Sequence, residues 1–435
     1  MKKPELLAPA GTLRNLRYAM AYGADAVYAG MPRYSLRVRN NDFDTLEQLK
    51  LGIDEVHAKG KQFFLASNVL PHNSKVRTFL ADIEPVIALG PDALIMADPG
   101  LIMLVRERWP EIPVHLSVQA NTMNYASVKF WHSLGLTRVI LSRELSLDQV
   151  AEIRQECPEM ELEVFVHGAL CIAYSGRCLL SGYFSHRDAN QGTCTNSCRW
   201  DYKVHGAQVD VSGDIQARDI TGERHPESGQ VYLLEESQRP GQLMPVEEDE
   251  HGTYIMNSKD LRAVEHVQRL VDIGVDSLKI EGRTKSHYYV ARTTQVYRKA
   301  IDDAVAGRRF NPRLVGELEN LASRGYTDGF FVRHHSQDYQ NYIQGISKSV
   351  QQRFVGEITG YDAASGLASV EVKNRFQLGE RLEILMPSGD NLELTLEQMS
   401  DLKGNPMQVA PGSGHHVLIP LPPGDYTCAL ITANI

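Results

Sequence analysis

ELLAPAGTLRNLRYAMAYGADAVYAG, residues 5–30, contains a complete strand–helix–strand unit. ELLAPAG (5–11) is a short apolar run ending in a turn. TLRNLRYAMAYG (12–23) is an amphipathic helix capped by Thr12 and stopped by Gly23, and AVYAG (26–30) is apolar and strand-like again. The same alternation runs outward through QFFLASN (62–68), ALIMAD (93–98), VHLSVQ (114–119), RVILSR (138–143) and LEVFVHG (162–168). It returns much later in SLKIEGR (277–283). Helical patterns occupy 44–59, 74–89, 99–108, 124–134, 146–156 and 286–306, and another helix is expected to open at Asn257-Ser258-Lys259-Asp260. Eight strands of this kind predict an α/β chain closed as a TIM-like (β/α)8 barrel, whose active site gathers at the C-terminal ends of the strands. Asn68, Asp98, Gln119, Arg143, His167, Glu281 and Arg283 all end apolar runs and are therefore expected at that mouth, unless they simply cap helices. An open doubly wound sheet is the competing topology, and the missing G-x-G-x-x-G after the first strand counts against its dinucleotide-binding form.

The alternation breaks once, between Gly168 and the helix expected near residue 257. A loop that long in a compact domain signals function, and it leaves from the catalytic face. The barrel domain is thus expected over 1–331, with 169–256 as a cysteine-containing insertion after strand 7. Residues 332–352 read as a linker. Strand-like runs separated by Gly, Pro and Asn give 353–435 the texture of a small all-β barrel.

The chain has 435 residues, 43% of them hydrophobic and 23% charged, a balance that excludes disordered and fibrous classes. No apolar run approaches membrane-spanning length and the N-terminus does not resemble a secretory signal, so a cytoplasmic protein is expected. The net charge of −9 gives no global argument for nucleic-acid binding, though a local patch remains open.

Four of the six cysteines, Cys171, Cys178, Cys194 and Cys198, fall between positions 171 and 198. Their C-x6-C and C-x3-C spacing is looser than the C-x2-C hairpins of structural zinc sites and suits a 4Fe-4S cluster better, with zinc and unligated buried thiols as alternatives. Cys157 and Cys428 read as small buried apolar residues, one in a helix and one in a C-terminal strand.

EVFVHGALCIAYSGRCLLS (163–181) matches the signature of the U32 (collagenase-like) peptidase family. PELLAPAG, GADAVYAG, GTCTNSCRW, MNSKDLRA and SLKIEGRTKS extend the resemblance over nearly the whole chain, toward a branch whose members hydroxylate tRNA. That resemblance implies an oxygen-independent reaction that converts the wobble uridine of certain tRNAs to 5-hydroxyuridine, the first step toward 5-carboxymethoxyuridine. It also implies prephenate as co-substrate and a 4Fe-4S cluster on Cys171, Cys178, Cys194 and Cys198. Two rivals remain: a peptidase, for which neither H-E-x-x-H nor G-x-S-x-G is present, and a non-catalytic protein delivering cluster or substrate to a hydroxylase.

The expected partners assign roles to the strand-end residues. Prephenate, a dicarboxylate, calls for guanidinium forks, for which Arg37, Arg39, Arg143 and Arg283 are candidates. Glu144 and Glu281 are possible salt-bridge partners that would instead make such arginines structural. For the tRNA anticodon loop, Arg33, Arg37 and Arg39 with Tyr34 form a basic and aromatic cluster suited to phosphate contact and base stacking. Asn68 and Gln119 are further substrate-binding candidates. His167 is the candidate acid or base, and Lys279 and Glu281 alternate along strand 8 and should point inward together. Lys279, Arg283, Lys285, Arg292, Arg298 and Lys299 form a second basic run that could equally be a solvated face.

Overall fold

The computed structural model describes residues 2–36, 42–170, 259–323, 325–332 and 352–434, and between 207 and 254 the backbone of five short strands. Eight parallel strands form the first unit: β1 (Glu5–Pro9), β2 (Ala26–Gly30), β3 (Gln62–Ser67), β4 (Ala93–Met96), β5 (Val114–Leu116), β6 (Arg138–Ile140), β7 (Glu161–Ala169) and β8 (Ser277–Ile280). Each pairs with the next. β8 also pairs with β1 through Glu5↔Ser277 and Leu7↔Lys279, which closes the barrel.

The strands form where alternate residues can be buried on both faces. Leu7, Tyr28, Phe64, Ala66, Ile95, Ile140 and Phe165 fill the lumen, while Leu6, Val27, Phe63, Leu65, Leu94 and Val164 pack against the helices. The α-helices among the described residues are α1 (Leu13–Ala21), α2 (Leu46–His57), α3 (Asn73–Ile87), α4 (Pro99–Arg108), α5 (Tyr125–Ser133), α6 (Leu147–Glu156), α7 (Val267–Ile273), α8 (His287–Val305) and α9 (Arg313–Glu319). Several start at side-chain caps. Thr12 accepts from the Asn15 amide at 2.9 Å, Asp98 caps α4 ahead of Pro99, and Ser146 and Gln149 form a reciprocal capping box. Asp98 is therefore a helix cap, the plainer of the two roles open to a strand-end polar residue.

Two elements depart from the sequence reading. Asp260–Arg262 is a strand, not a helix start; it pairs antiparallel with the end of β7 (Asp260↔Ala169, Arg262↔His167), and α7 opens at Val267. A polar Asn-Ser-Lys-Asp run looks like a cap, but the end of β7, beyond its pairing with β6, gives Asp260–Arg262 a backbone partner. The second unit is a six-stranded antiparallel sheet in the order 392–395, 381–385, 430–434, 352–362, 367–372, 416–420. The strand Leu430–Asn434 lies in its interior, two residues beyond the Cys428 around which the sequence places a C-terminal strand. Cys428 precedes that strand in the left-handed region (φ 61°) instead of lying within it.

The two units are tied by buried polar bonds. Arg292 of α8, with no exposed surface, donates to Glu383 at 2.6 and 3.0 Å, and Tyr22 Oη donates to the carbonyls of Leu385 (2.8 Å) and Cys428 (3.0 Å). Gln295 reaches the Met386 carbonyl and Asn391, and Tyr288 stacks on Phe354 at 5.0 Å between centroids. Among the described residues no helix is long and apolar enough to cross a membrane.

Candidate active site

The lumen is charged in its lower half and aromatic above. Glu5, Arg138, Glu161, Glu163 and Lys279 rise from the N-terminal ends and middles of β1, β6, β7 and β8. Arg138 pairs with Glu5 (2.7 Å), Glu161 (2.9 Å) and Glu163 (3.1 Å), and Lys279 Nζ sits 2.7 Å from Glu163. Burial pushes the Lys279 ammonium below its ordinary value, and Glu163 opposes that shift. Lys279 does point inward as expected, but its partner is Glu163 across the β7–β8 ladder, not Glu281. Glu281 lies one residue beyond β8, where its backbone amide donates to the His167 carbonyl at 2.9 Å.

Above this network Tyr28 occupies the centre of the lumen. Its ring lies 4.4 Å from Lys279 Nζ and 5.8 Å from the Arg283 guanidinium carbon, and its hydroxyl donates to the Ile280 carbonyl at 3.0 Å. Burial raises the Tyr28 phenol, so it stays protonated; Glu281, Arg283, Arg143 and Glu163 all act on it electrostatically. The sequence reading passed over Tyr28. Its only signal was a phenol at the inward-facing position of the apolar strand AVYAG.

Arg143 lies flat on Phe165, 3.9 Å from guanidinium carbon to ring centroid, and donates to the Ala169 carbonyl at 2.8 Å. Its Nε is buried and has no partner among the described residues. Asn68, Ser117 and Gln119 form a hydrogen-bonded chain from the end of β3 to that of β5, with Asn68 Nδ2 donating to Ser117 Oγ (3.3 Å) and Gln119 Oε1 (3.1 Å). Arg283 donates to the Leu36 carbonyl and approaches Ser35 Oγ at 3.5 Å. Gly168 (φ 106°) lies where a Cβ would meet the Glu281 carbonyl at 2.6 Å, so only glycine lets the ends of β7 and β8 come this close.

Two expectations are corrected, and one alternative is excluded. Tyr34 is fully buried, packs edge-on against Phe79 and gives its hydroxyl to Asp82 at 2.6 Å, so its ring is not available to stack on a base. His167, 1% exposed, lies among Tyr289, Tyr297 and Tyr326 with ring centroids 5.5–5.7 Å away. Tyr297 belongs to α8, which places the imidazole in the layer between strands and helices; an irregularity in the β7–β8 register there breaks the inward alternation. Burial pushes His167 down to about 3, so it is neutral and enclosed, unsuited to exchanging protons with a substrate. The second basic run is not a solvated face: Lys279, Arg283 and Arg292 are buried, and Arg298 pairs with Asp25 and Asp302. Arg33 is on the surface, paired with Asp82. Arg37, Arg39 and Cys171, Cys178, Cys194 and Cys198 lie outside the described residues, as do 333–351, nearly all of the expected linker.

A closed eight-stranded α/β barrel with its arginine, amide and tyrosine groups at the C-terminal mouth, joined to an antiparallel β domain, defines a barrel protein with its site at the strand ends. The chain belongs to peptidase family U32: the family model matches residues 11–341 and that of the family's C-terminal domain matches 350–431. It is 60% identical over 432 residues to the tRNA hydroxylation protein P of Escherichia coli, covering 97% of this chain and 94% of that protein. Its identity to the tRNA hydroxylation protein P of Haemophilus influenzae is 58% over 446 residues. A 23S rRNA 5-hydroxycytidine C2501 synthase of Escherichia coli is 32% identical over 328 residues, which is 75% of this chain and 42% of that protein.

Proposed function

We propose that this protein hydroxylates tRNA, converting the wobble uridine to 5-hydroxyuridine without O2, with prephenate as co-substrate and a 4Fe-4S cluster held by Cys171, Cys178, Cys194 and Cys198. The observation that carries the reading is the 60% identity, across nearly the full length of both chains, with a tRNA hydroxylation protein. Replacing C5–H by C5–OH is a two-electron oxidation beyond the reach of the ordinary side chains, so a redox group is required. Four thiols in one short stretch are a donor set suited to iron and sulfide. The stretch begins one residue after Leu170, which is buried at the C-terminal end of β7. When bound, such a cluster supplies electron transfer.

The chain's own residues bind and orient. Arg143 is a carboxylate ligand by this reading: Phe165 fixes its plane, the Ala169 carbonyl takes one donor, and its Nε–H has no partner among the described residues. Tyr28 and the Asn68–Ser117–Gln119 chain shape the polar floor of the mouth. A peptidase of the cysteine–histidine kind would use His167 to activate Cys171, and the enclosure of His167 among three tyrosines counts against that role.

The test is anaerobic purification with iron and sulfide quantitation, followed by nucleoside analysis of tRNA from a deletion strain carrying either the wild-type gene or Cys171→Ala. The reading expects about four irons per chain, 5-hydroxyuridine derivatives restored by wild type, and both lost in Cys171→Ala. An iron-free wild type, or tRNA modification unaffected by the deletion, would overturn it.

A further inference from the structure

Two residues that the sequence offers as substrate ligands are engaged with the protein's own backbone, on opposite sides of one residue. Asn68 Oδ1 accepts from the Leu36 amide at 3.1 Å, and Arg283 donates to the Leu36 carbonyl. They come from opposite directions, Asn68 from the end of β3 and Arg283 from beyond β8, with β1 and β2 between. Asn68 is itself fixed by Ser117 and Gln119, and the Arg283 guanidinium lies over Tyr28. Both are about nine-tenths buried, at 8% exposure.

Gly30 gives independent support. A Cβ at this position would meet Arg283 Nη1 at 2.5 Å and Ser35 Oγ at 2.3 Å. Its φ lies outside the left-handed region, so conformation alone does not require glycine here; the space it leaves is shared by the guanidinium and the Ser35 hydroxyl. The segment before Leu36 is secured by other means: Val69 donates to the Tyr34 carbonyl at 3.1 Å, and the Tyr34 hydroxyl is bound by Asp82 and Thr78. Leu36 is the last of these anchors before Arg37-Val-Arg39 in the sequence.

We infer that Asn68 and Arg283 are positioning residues, a clasp that grips the Leu36 backbone from β3 and β8 and fixes the start of the β2–α2 connection at the barrel mouth, with Gly30 as the recess that admits the guanidinium. Neither acts by touching the substrate; both set where the connection leaves the barrel. The donor to the Leu36 carbonyl is charged, which makes it the stronger half of the clasp, and the Asn68 contact is a neutral hydrogen bond. The inference rests on the tRNA-hydroxylation reading for its kinetic readout but not for its structural one.

The experiment compares wild type with Asn68→Ala, Arg283→Ala, Gly30→Ala and the double variant Gly30→Ala/Arg283→Ala, each as the full chain reconstituted under anaerobic conditions. Hydrogen exchange of the peptide containing Leu36 is measured beside the kcat and KM of tRNA hydroxylation. The clasp predicts faster exchange at Leu36 in all three single variants and a KM raised about tenfold, the equivalent of about 1.4 kcal/mol, with a smaller change in kcat. Gly30→Ala should reproduce Arg283→Ala, and the double variant should add little to either, because both act through the same guanidinium. Unchanged Leu36 exchange in Asn68→Ala and Arg283→Ala would overturn the clasp. So would an Arg283→Ala protein whose KM rises while Leu36 exchange stays as in wild type, because Arg283 would then be contacting substrate directly. A wild-type protein without hydroxylase activity would refute the functional reading and leave the exchange result to decide the clasp. If Gly30→Ala does not fold, Asn68→Ala tests the grip from the other side.

Discussion

His167 makes the acid stability of this protein a test of where the imidazole sits. The folded protein holds it neutral, pushed down to about 3 by burial, whereas in the unfolded chain it takes up a proton near 6.5. Its contribution is therefore fully present above pH 6.5 and is lost as pH falls, because only the unfolded state gains a proton between 6.5 and 3. Two pH units below 6.5 the loss reaches about 2.7 kcal/mol from this residue alone, and the limb flattens only below pH 3. The perturbation is His167→Gln, which keeps a polar side chain of similar reach in the Tyr289–Tyr297–Tyr326 enclosure but cannot titrate. Urea unfolding of both proteins at pH 7.5, 6.5, 5.5 and 4.5, followed by circular dichroism, gives the difference directly, since the buried His115 and the half-buried His287 contribute equally to both. The variant should be less stable at pH 7.5, and its deficit should shrink steadily on acidification. Parallel stability curves would mean that His167 protonates in the folded state near its ordinary value, and the burial argument would be wrong.

Three further outcomes follow from buried pairs. Arg292→Met leaves Glu383 without the cation that holds its carboxyl below the ordinary value, at a cost of about 3–5 kcal/mol; the check is a lower melting temperature that Arg292→Met/Glu383→Leu partly restores. Lys279→Met strips Glu163 of one of its two cations and should destabilise by a similar few kcal/mol, while Lys279→Met/Glu163→Gln recovers most of the loss in denaturant titrations. Tyr34→Phe removes the hydroxyl bonded to Asp82 and Thr78 and should cost about 1 kcal/mol of stability. Its tRNA affinity, measured by filter binding, should match wild type; a large loss there would return Tyr34 to the RNA surface.

The barrel could be read from the sequence because its signals are local. Each strand has an apolar run of the right length, Thr12, Ser146 and Ser286 cap helices by the oxygen a cap requires, and the eight-fold alternation leaves few topologies open. The misreadings occur where a distant partner decides. Asp260–Arg262 has the composition of a helix start and becomes a strand because the end of β7 is free to pair with it. The C-terminal strand that the sequence centres on Cys428 runs instead over Leu430–Asn434, because there it completes the interior of a sheet whose other strands lie up to about eighty residues earlier.

The site follows the same division. That strand ends carry its polar residues was legible, since the fold puts them there. What each one binds was not, because a buried arginine or asparagine looks the same in sequence whether it faces a ligand or a peptide group. Arg143 and Arg283 follow β6 and β8, on either side of β7, and both direct a guanidinium donor at a backbone carbonyl, that of Ala169 in one case and Leu36 in the other. Buried donors are rarely left unpaired, so the loop and strand-end carbonyls around a barrel mouth compete with substrate for its cations. The Nε of Arg143 still lacks a partner among the described residues, as do those of Arg262, Arg292, Arg298 and Arg353, and what sets Arg143 apart is that its open donor sits at a strand end of the mouth, where a ligand can meet it.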